Sequence, residues 1–158
     1  ISYAYIGKNA KKKSEKVSSE TLPACVIDNS LAVDAACSGN PGPMEYRGVH
    51  IASRQEVFHF GPTKGTNNIG EFLAIVHGLA LLKQKEFDMP IYSDSVNAIS
   101  WVRQKKCKTK LPRTAETEEL FKLIERAEKW LRENTYTTRI LKWETKEWGE
   151  IPADFGRK

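Results

Sequence analysis

The order of hydrophobic periodicities constrains the fold of this chain more than any other feature: period-two segments come first, and period-3.6 segments dominate thereafter. Leu31-Ala32-Val33 is a short apolar run leading into Asp34 and then a turn cluster, Ser38-Gly39-Asn40-Pro41-Gly42-Pro43. Two alternating segments follow, Tyr46 to Ser53 and Glu56 to Phe60, and both predict antiparallel strands. Gly61-Pro62 and Gly65 then mark a loop. Asn67 is placed to cap a helix whose apolar residues Phe72, Ile75, Val76, Leu79 and Leu82 share one face. Pro90-Ile91-Tyr92 opens a short strand that ends at Ser93-Asp94-Ser95, and Ser95 can cap a helix to about Lys106. Thr114 can cap a further helix, with Leu120, Leu123, Ile124, Ala127, Trp130 and Leu131 as its stripe. Arg139 to Trp143 reads as a last strand, and residues 147–158 as a short, partly helical tail. Three antiparallel strands followed by helix, strand, helix, helix, strand make an α/β domain: a five-stranded mixed sheet flanked by helices.

At 158 residues the chain fits one domain of common size with an extension. The pattern becomes structured at about residue 21, so the domain is expected over residues 21–158. Residues 1–20 hold five lysines against Glu15 and Glu20, a net +3 out of the chain's +5. Polar and aperiodic, they read as a basic linker; a solvated tether is the simple account and non-specific attraction to nucleic acid the sharper one. The chain begins at Ile1 rather than Met, which reads as a product of processing or truncation. No apolar run reaches the roughly 18 residues of a membrane span, so no membrane partner is expected. Three cysteines, odd in number and without CxxC spacing, imply neither a disulfide framework nor a zinc site, and a reducing, cytoplasmic setting is expected. A P-loop nucleotidase is excluded, because GxxxxGK[ST] is absent.

Several carboxylates sit where carboxylates are costly. Asp34 directly follows Leu-Ala-Val on an expected central strand, and Asp94 ends the run Ile91-Tyr92-Ser93. Glu71 lies one helical turn before Ile75, on or beside the sheet-facing stripe. Glu150 and Asp154 are four apart, on one face if the tail is helical. Each has an ordinary reading: Asp94 as a partner at a helix start, Glu71 as an acid favoured near a helix N-terminus. Together they are harder to dismiss, because no basic residue lies inside these apolar segments to pair with them. Acids that converge without a cation imply a bound one, and hard oxygen donors without His or Cys point to Mg²⁺ or Mn²⁺. Two such ions can activate a water and stabilise the leaving oxygen of a phosphodiester.

Asp34-Ala-Ala-Cys-Ser-Gly-Asn-Pro-Gly-Pro43, Thr66-Asn-Asn-Ile-Gly-Glu71 and Tyr92-Ser-Asp94-Ser95 resemble, in order and in element type, the motifs of type 1 ribonuclease H. The ending Trp148-Gly-Glu-Ile-Pro-Ala-Asp154 is similar to the compact bacterial subtype, which carries a glutamate four residues before its final aspartate. The resemblance covers about residues 28–158. It implies the ribonuclease H-like fold, and endonucleolytic cleavage of the RNA strand of RNA/DNA hybrids without sequence specificity, leaving 5′-phosphate and 3′-hydroxyl ends. It implies two Mg²⁺ ions, with Mn²⁺ able to substitute. Asp34 would bridge both, Glu71 and Asp94 would hold the ion on the leaving-group side, and Asp154 the ion that positions water. Glu150 would sit near the second ion and help product leave. No protein partner is implied, and a monomer is expected.

The resemblance also implies a substrate surface. Gly39, Asn40, Asn67 and Asn68 match loops that reach the minor groove, where polar groups can read 2′-hydroxyls. Cys37 matches a position that contacts RNA, although a thiol that only packs reads equally well. Thr66, Asn68 and Thr109 resemble a pocket gripping a DNA phosphate, with Lys64 near enough to help. Trp101 matches an aromatic that packs on a DNA sugar; its alternative is a core tryptophan. Arg103 to Arg113 holds six basic residues and no acid, which suits tracking of a phosphate backbone.

Departures from the family pattern are also visible. The segment from Lys142 to Glu150 lacks the histidine that many members carry there, and a short loop at residues 105–113 replaces a long basic handle. Lys110 stands where a small hydroxyl residue is expected, and Val96 where a polar one is. Residues 1–20 resemble the end of an upstream hybrid-binding module and its tether. Two other readings are a binding module without catalysis and a different nuclease or strand-transfer enzyme on the same fold; the four acids oppose the first, and the hybrid-reading loops the second.

Overall fold

Leu31–Cys37 forms β1, the middle strand of the sheet, in the computed structural model, which describes residues 22–156. Leu31, Ala32 and Val33 are buried on both faces of the sheet, as an uninterrupted apolar run demands. Gly42–His50 forms β2 and Gln55–Gly65 β3, and together they make an antiparallel ladder on one side of β1. On the other side Ile91–Ser93 forms β4 and Ile140–Lys142 β5, both parallel. The order is β3-β2-β1-β4-β5, the five-stranded mixed sheet that the periodicities predict. Of the helices, Asn67–Lys85 is α1, Val96–Gln104 α2, Glu118–Glu133 α3 and Thr145–Trp148 α4. The linker expected at residues 1–20 lies outside the described residues.

Alternation along the strands splits the interior into two cores. Leu31, Val33 and Ala35 face the helices, where they join Phe72, Ile75 and Leu79 of α1, Val102 of α2 and Leu120 and Ile124 of α3. Ala32 and Val49 face the other way, into a smaller core with Tyr92, Trp143, Ile151 and Ala153. There the Trp143 indole donates to the Gly149 carbonyl at 2.8 Å, and its ring meets Tyr92 and Trp148 edge-on at centroid distances of 5.5 and 5.0 Å. The second core thus ties the segment after β5 to the sheet.

α1 lies unusually close to β1 and β2. A Cβ placed on Gly70 would sit 2.8 Å from the Cβ of Ala35 and 2.9 Å from the sulfur of Met44, so only glycine permits this contact. The next residue is Glu71.

Several boundaries differ from the sequence reading. Thr66, not Asn67, caps α1: its backbone is extended and its Oγ1 accepts from the Ile69 N–H at 3.3 Å. β2 and β3 continue through the segments read as turn and loop, pairing Gly42 with Gly65 and Met44 with Thr63. Pro62 is tolerated because β3 is an edge strand with no outer neighbour needing its N–H. α2 stops at Gln104, two residues early, where Lys105 turns left-handed at φ 60°. α3 begins at Glu118 rather than after Thr114: the Thr114 N–H donates to the buried Thr117 hydroxyl at 2.8 Å, and that hydroxyl donates to the Pro112 carbonyl at 2.9 Å, which keeps both threonines within the loop.

Candidate active site

Asp34 lies at the middle of β1, Glu71 in α1 just beyond the Gly70 contact, and Asp94 directly after β4. One carboxylate oxygen from each lies within 4.8 Å of the others. Asp34 and Glu71 are only 4% and 3% exposed, and Asp94 is half-buried. Glu71 Oε1 is fully buried with no hydrogen-bond partner among the described residues. Burial, then the Asp94 charge, pushes Asp34 up to about 7. Burial, followed by the charges of Asp34 and Asp94, pushes Glu71 well above the usual carboxylate range. The three therefore cannot all be ionised at neutral pH without a counter-charge. They line a cavity of about 590 Å³ whose described lining includes no Lys, Arg or His. An all-oxygen donor set and one orphaned buried oxygen fit a hard divalent metal ion, and the cluster can hold one.

Asp154 reaches the same cavity from the segment after α4, close enough for its charge to raise Asp34 further. Glu150 does not join it: it is exposed and stands outside the cavity's lining. The helical tail that would have aligned the two is absent, because α4 ends at Trp148, Gly149 turns to φ 80°, and residues 151–154 make a single turn closed by Asp154 N–H donating to Ile151 O at 2.8 Å. Arg47 and Phe155, which nothing in the sequence singles out, also meet this segment.

Cys37 and Asn67 line the acidic cavity; the Cys37 thiol lies 2.7 Å from the Gly39 carbonyl. A second cavity of about 450 Å³ brings together Thr66 and Asn68 from the start of α1, Trp101 from α2, Thr109 from the loop after α2, and Asn40 from the glycine-rich turn. The Thr66 hydroxyl accepts as the helix cap and keeps its own proton to donate. Asn40 Oδ1 accepts from the Asn67 N–H at 3.2 Å, which fastens the glycine-rich turn to the start of α1. Trp101 is half-buried, edge-on to Phe72 at 6.4 Å, so it serves the core while bordering the cavity. Lys108 and Lys110 line this cavity too, whereas Lys64 is paired with Glu116 at 2.6 Å. Val96 is 67% exposed at the rim of the acidic cavity.

The loop carrying Thr109 is held from beneath by Glu128 of α3, whose buried carboxylate accepts the Cys107 N–H at 2.8 Å. Arg113 is turned back onto α3, bonded to Glu118 and Glu125 at 2.8–2.9 Å. The basic stretch is thus part clamp and part open charge.

A family model for RNase H matches residues 28–144. The chain belongs to the RNase H family. A protein named Ribonuclease H from Desulforamulus reducens is 37% identical over 92 residues, covering 49% of this chain and 57% of that one. Another of the same name from a Sulfurovum species is 39% identical over 85 residues, covering 48% and 56%. The chain spans a little over half the length of these curated relatives. Among solved structures, the N-terminal RNase H domain of a Mycobacterium tuberculosis protein aligns at 18% identity and TM-score 0.48, over 75% of this chain and 89% of that one. LC11-RNase H1 in complex with an RNA/DNA hybrid aligns at 19% and 0.45, over 77% and 88%. The span matched by the RNase H model contains Asp34, Glu71, Asp94 and every residue of the second cavity, and ends before Glu150 and Asp154. No helix among the described residues is long and apolar enough to cross a membrane.

Proposed function

We propose that this RNase H family member is an endonuclease that hydrolyses the RNA strand of RNA/DNA hybrids, with Mg²⁺ as its metal and Mn²⁺ able to replace it. The observation that carries the reading is the trio Asp34, Glu71 and Asp94: three acids from three elements within 4.8 Å, with a buried orphan oxygen, in a cavity whose described lining holds no Lys, Arg or His. The name and 37–39% identity of the curated relatives support the same reaction class.

Asp34, Glu71, Asp94 and Asp154 would hold two ions, which when bound supply an activated water and offset the charge that grows on the phosphate. Bound ions would also offset the charge of Asp34, a carboxyl that burial and then the Asp94 charge push up to about 7. The second cavity supports a separate grip on the DNA strand: the Thr66 hydroxyl, the Asn68 amide and the Thr109 hydroxyl are donors suited to one phosphate, with Lys108 and Lys110 adding charge. Gly39, Asn40 and Asn67 would present polar groups to 2′-hydroxyls between the two cavities, with Cys37 against the RNA backbone. Contacts of this kind read sugar and phosphate, not base identity, so cleavage would be independent of sequence, with 5′-phosphate and 3′-hydroxyl products. Lys64, paired outward with Glu116, would help only after exchanging that partner. Glu150, exposed and four residues before Asp154, would help product leave, as the resemblance to the compact bacterial subtype implies. Residues 1–20 would act as a basic tether ahead of the catalytic domain at 21–158.

The test is a gel assay of a labelled RNA strand presented alone, in an RNA duplex and in an RNA/DNA hybrid, with Mg²⁺ or EDTA, beside Asp94→Asn. Cleavage of the hybrid alone, abolished by EDTA and reduced by several orders of magnitude in Asp94→Asn, is the expected result. Hybrid binding without cleavage under either metal would make the domain a recognition module instead.

A further inference from the structure

Arg47 on β2 is the antiparallel register partner of Asp34, so the two side chains leave the same face of the sheet. That face is the one covered by the segment after α4. Arg47 Nε donates to the Ala153 carbonyl at 2.8 Å and its Nη2 to the Asp154 carbonyl at 2.6 Å. Its guanidinium carbon lies 4.9 Å from the ring centre of Phe155, and its Nη1 lies 3.5 Å from Glu56. One side chain thus grips three consecutive residues, and the middle one carries a carboxylate that lines the acidic cavity.

This grip matters because it reaches Asp154 from a separate strand, whereas the bond from the Gly156 N–H to Asp154 Oδ2 at 2.9 Å is local to the segment. The segment has no regular structure after Trp148, and a single backbone hydrogen bond closes its turn. Ile151 and Ala153 are buried in the second core, but Asp154 and Phe155 lie beyond that anchor and are half-buried. We propose that Arg47 is the positioning residue for Asp154: it locks the backbone at residues 153–155 to β2, and so holds the fourth carboxylate opposite Asp34 before any metal arrives. This rests on the functional reading above. The guanidinium suits the task because its planar fork serves two carbonyls at once while stacking on an aromatic ring; a lysine offers one point charge and no plane.

The experiment compares wild type, Arg47→Ala, Arg47→Lys and Glu56→Gln in the whole chain. Mn²⁺ affinity is measured by calorimetry on the free protein, kcat and KM on a hybrid, and melting temperature in EDTA. Arg47→Ala should weaken Mn²⁺ binding and lower kcat by about 10-fold or more, the range typical of groups that orient metal ligands, with KM for the hybrid within about twofold. Arg47→Lys should recover only part of both losses, and Glu56→Gln should leave both near wild type. Within an Asp154→Asn background, Arg47→Ala should cost nothing further, because the two act as one unit. Unchanged Mn²⁺ affinity and kcat in Arg47→Ala would overturn the assignment, whatever happens to its melting temperature. So would an equal loss in the Asp154→Asn background, or a loss confined to KM, which would make Arg47 a substrate contact. Should Arg47→Ala fail to fold, Arg47→Lys carries the same comparisons. Should wild type cleave no hybrid, the proposed function falls while Mn²⁺ affinity still decides the role of Arg47.

Discussion

Protonation decides what single residues at this site do. Without metal, burial and then the Asp94 charge push Asp34 up to about 7, and burial with the charges of Asp34 and Asp94 pushes Glu71 well above the usual carboxylate range. Ligands must lose those protons to bind a cation, so apparent metal affinity should rise with pH through neutrality and binding should expel protons. Calorimetry of Mn²⁺ binding at pH 6.5 in two buffers of different ionisation enthalpy checks this: identical apparent enthalpies would show that no proton leaves. The acids themselves were legible in the sequence, because a carboxylate ending an apolar strand run has few innocent explanations. Arg47 was not. Its partners lie 106 and 107 residues away, and an arginine on an alternating strand reads as a solvated charge until that contact is seen.

Among the elements, type and order followed from periodicity, while the ends depended on tertiary detail. Thr66-Asn67-Asn68 offers three cap-competent residues in a row, and only backbone geometry selects Thr66. The tail misled for a different reason: a four-residue spacing of acids suggested a helix that Gly149 breaks, leaving Asp154 in the cavity and Glu150 outside it. The closeness of α1 to β1 yields a prediction of its own. Gly70→Ala puts a methyl group 2.8 Å from the Cβ of Ala35, so the helix must shift. Overpacking of this kind costs about 1–3 kcal/mol. Because Glu71 is the next residue, denaturant melts should show that loss together with weaker Mn²⁺ binding. A loss of stability with intact metal affinity would show that this contact does not set the position of Glu71.

Over the whole molecule, β1, α1, the end of β4 and the segment after α4 each deliver one acid to a single cavity, which only the complete fold assembles. The five-stranded mixed sheet was readable from the sequence, whereas the second core that anchors the segment before Asp154 was not, because its aromatic and aliphatic residues are scattered from Val26 to Ala153. The assembled cluster opposes folding when empty. Asp34 has a usual value of 3.8 and about 7 in the fold, so the folded state binds more protons between those limits. The stability of the metal-free protein should therefore fall as pH rises through that window. Asp34→Asn should melt higher than wild type in EDTA at pH 7, by a margin that shrinks toward pH 4 and disappears once metal is bound to wild type; an equal or lower melting temperature in EDTA would refute the effect. On this reading, withdrawal of divalent ions would leave a softer chain more open to proteases, so the lifetime of the molecule would follow its ion supply.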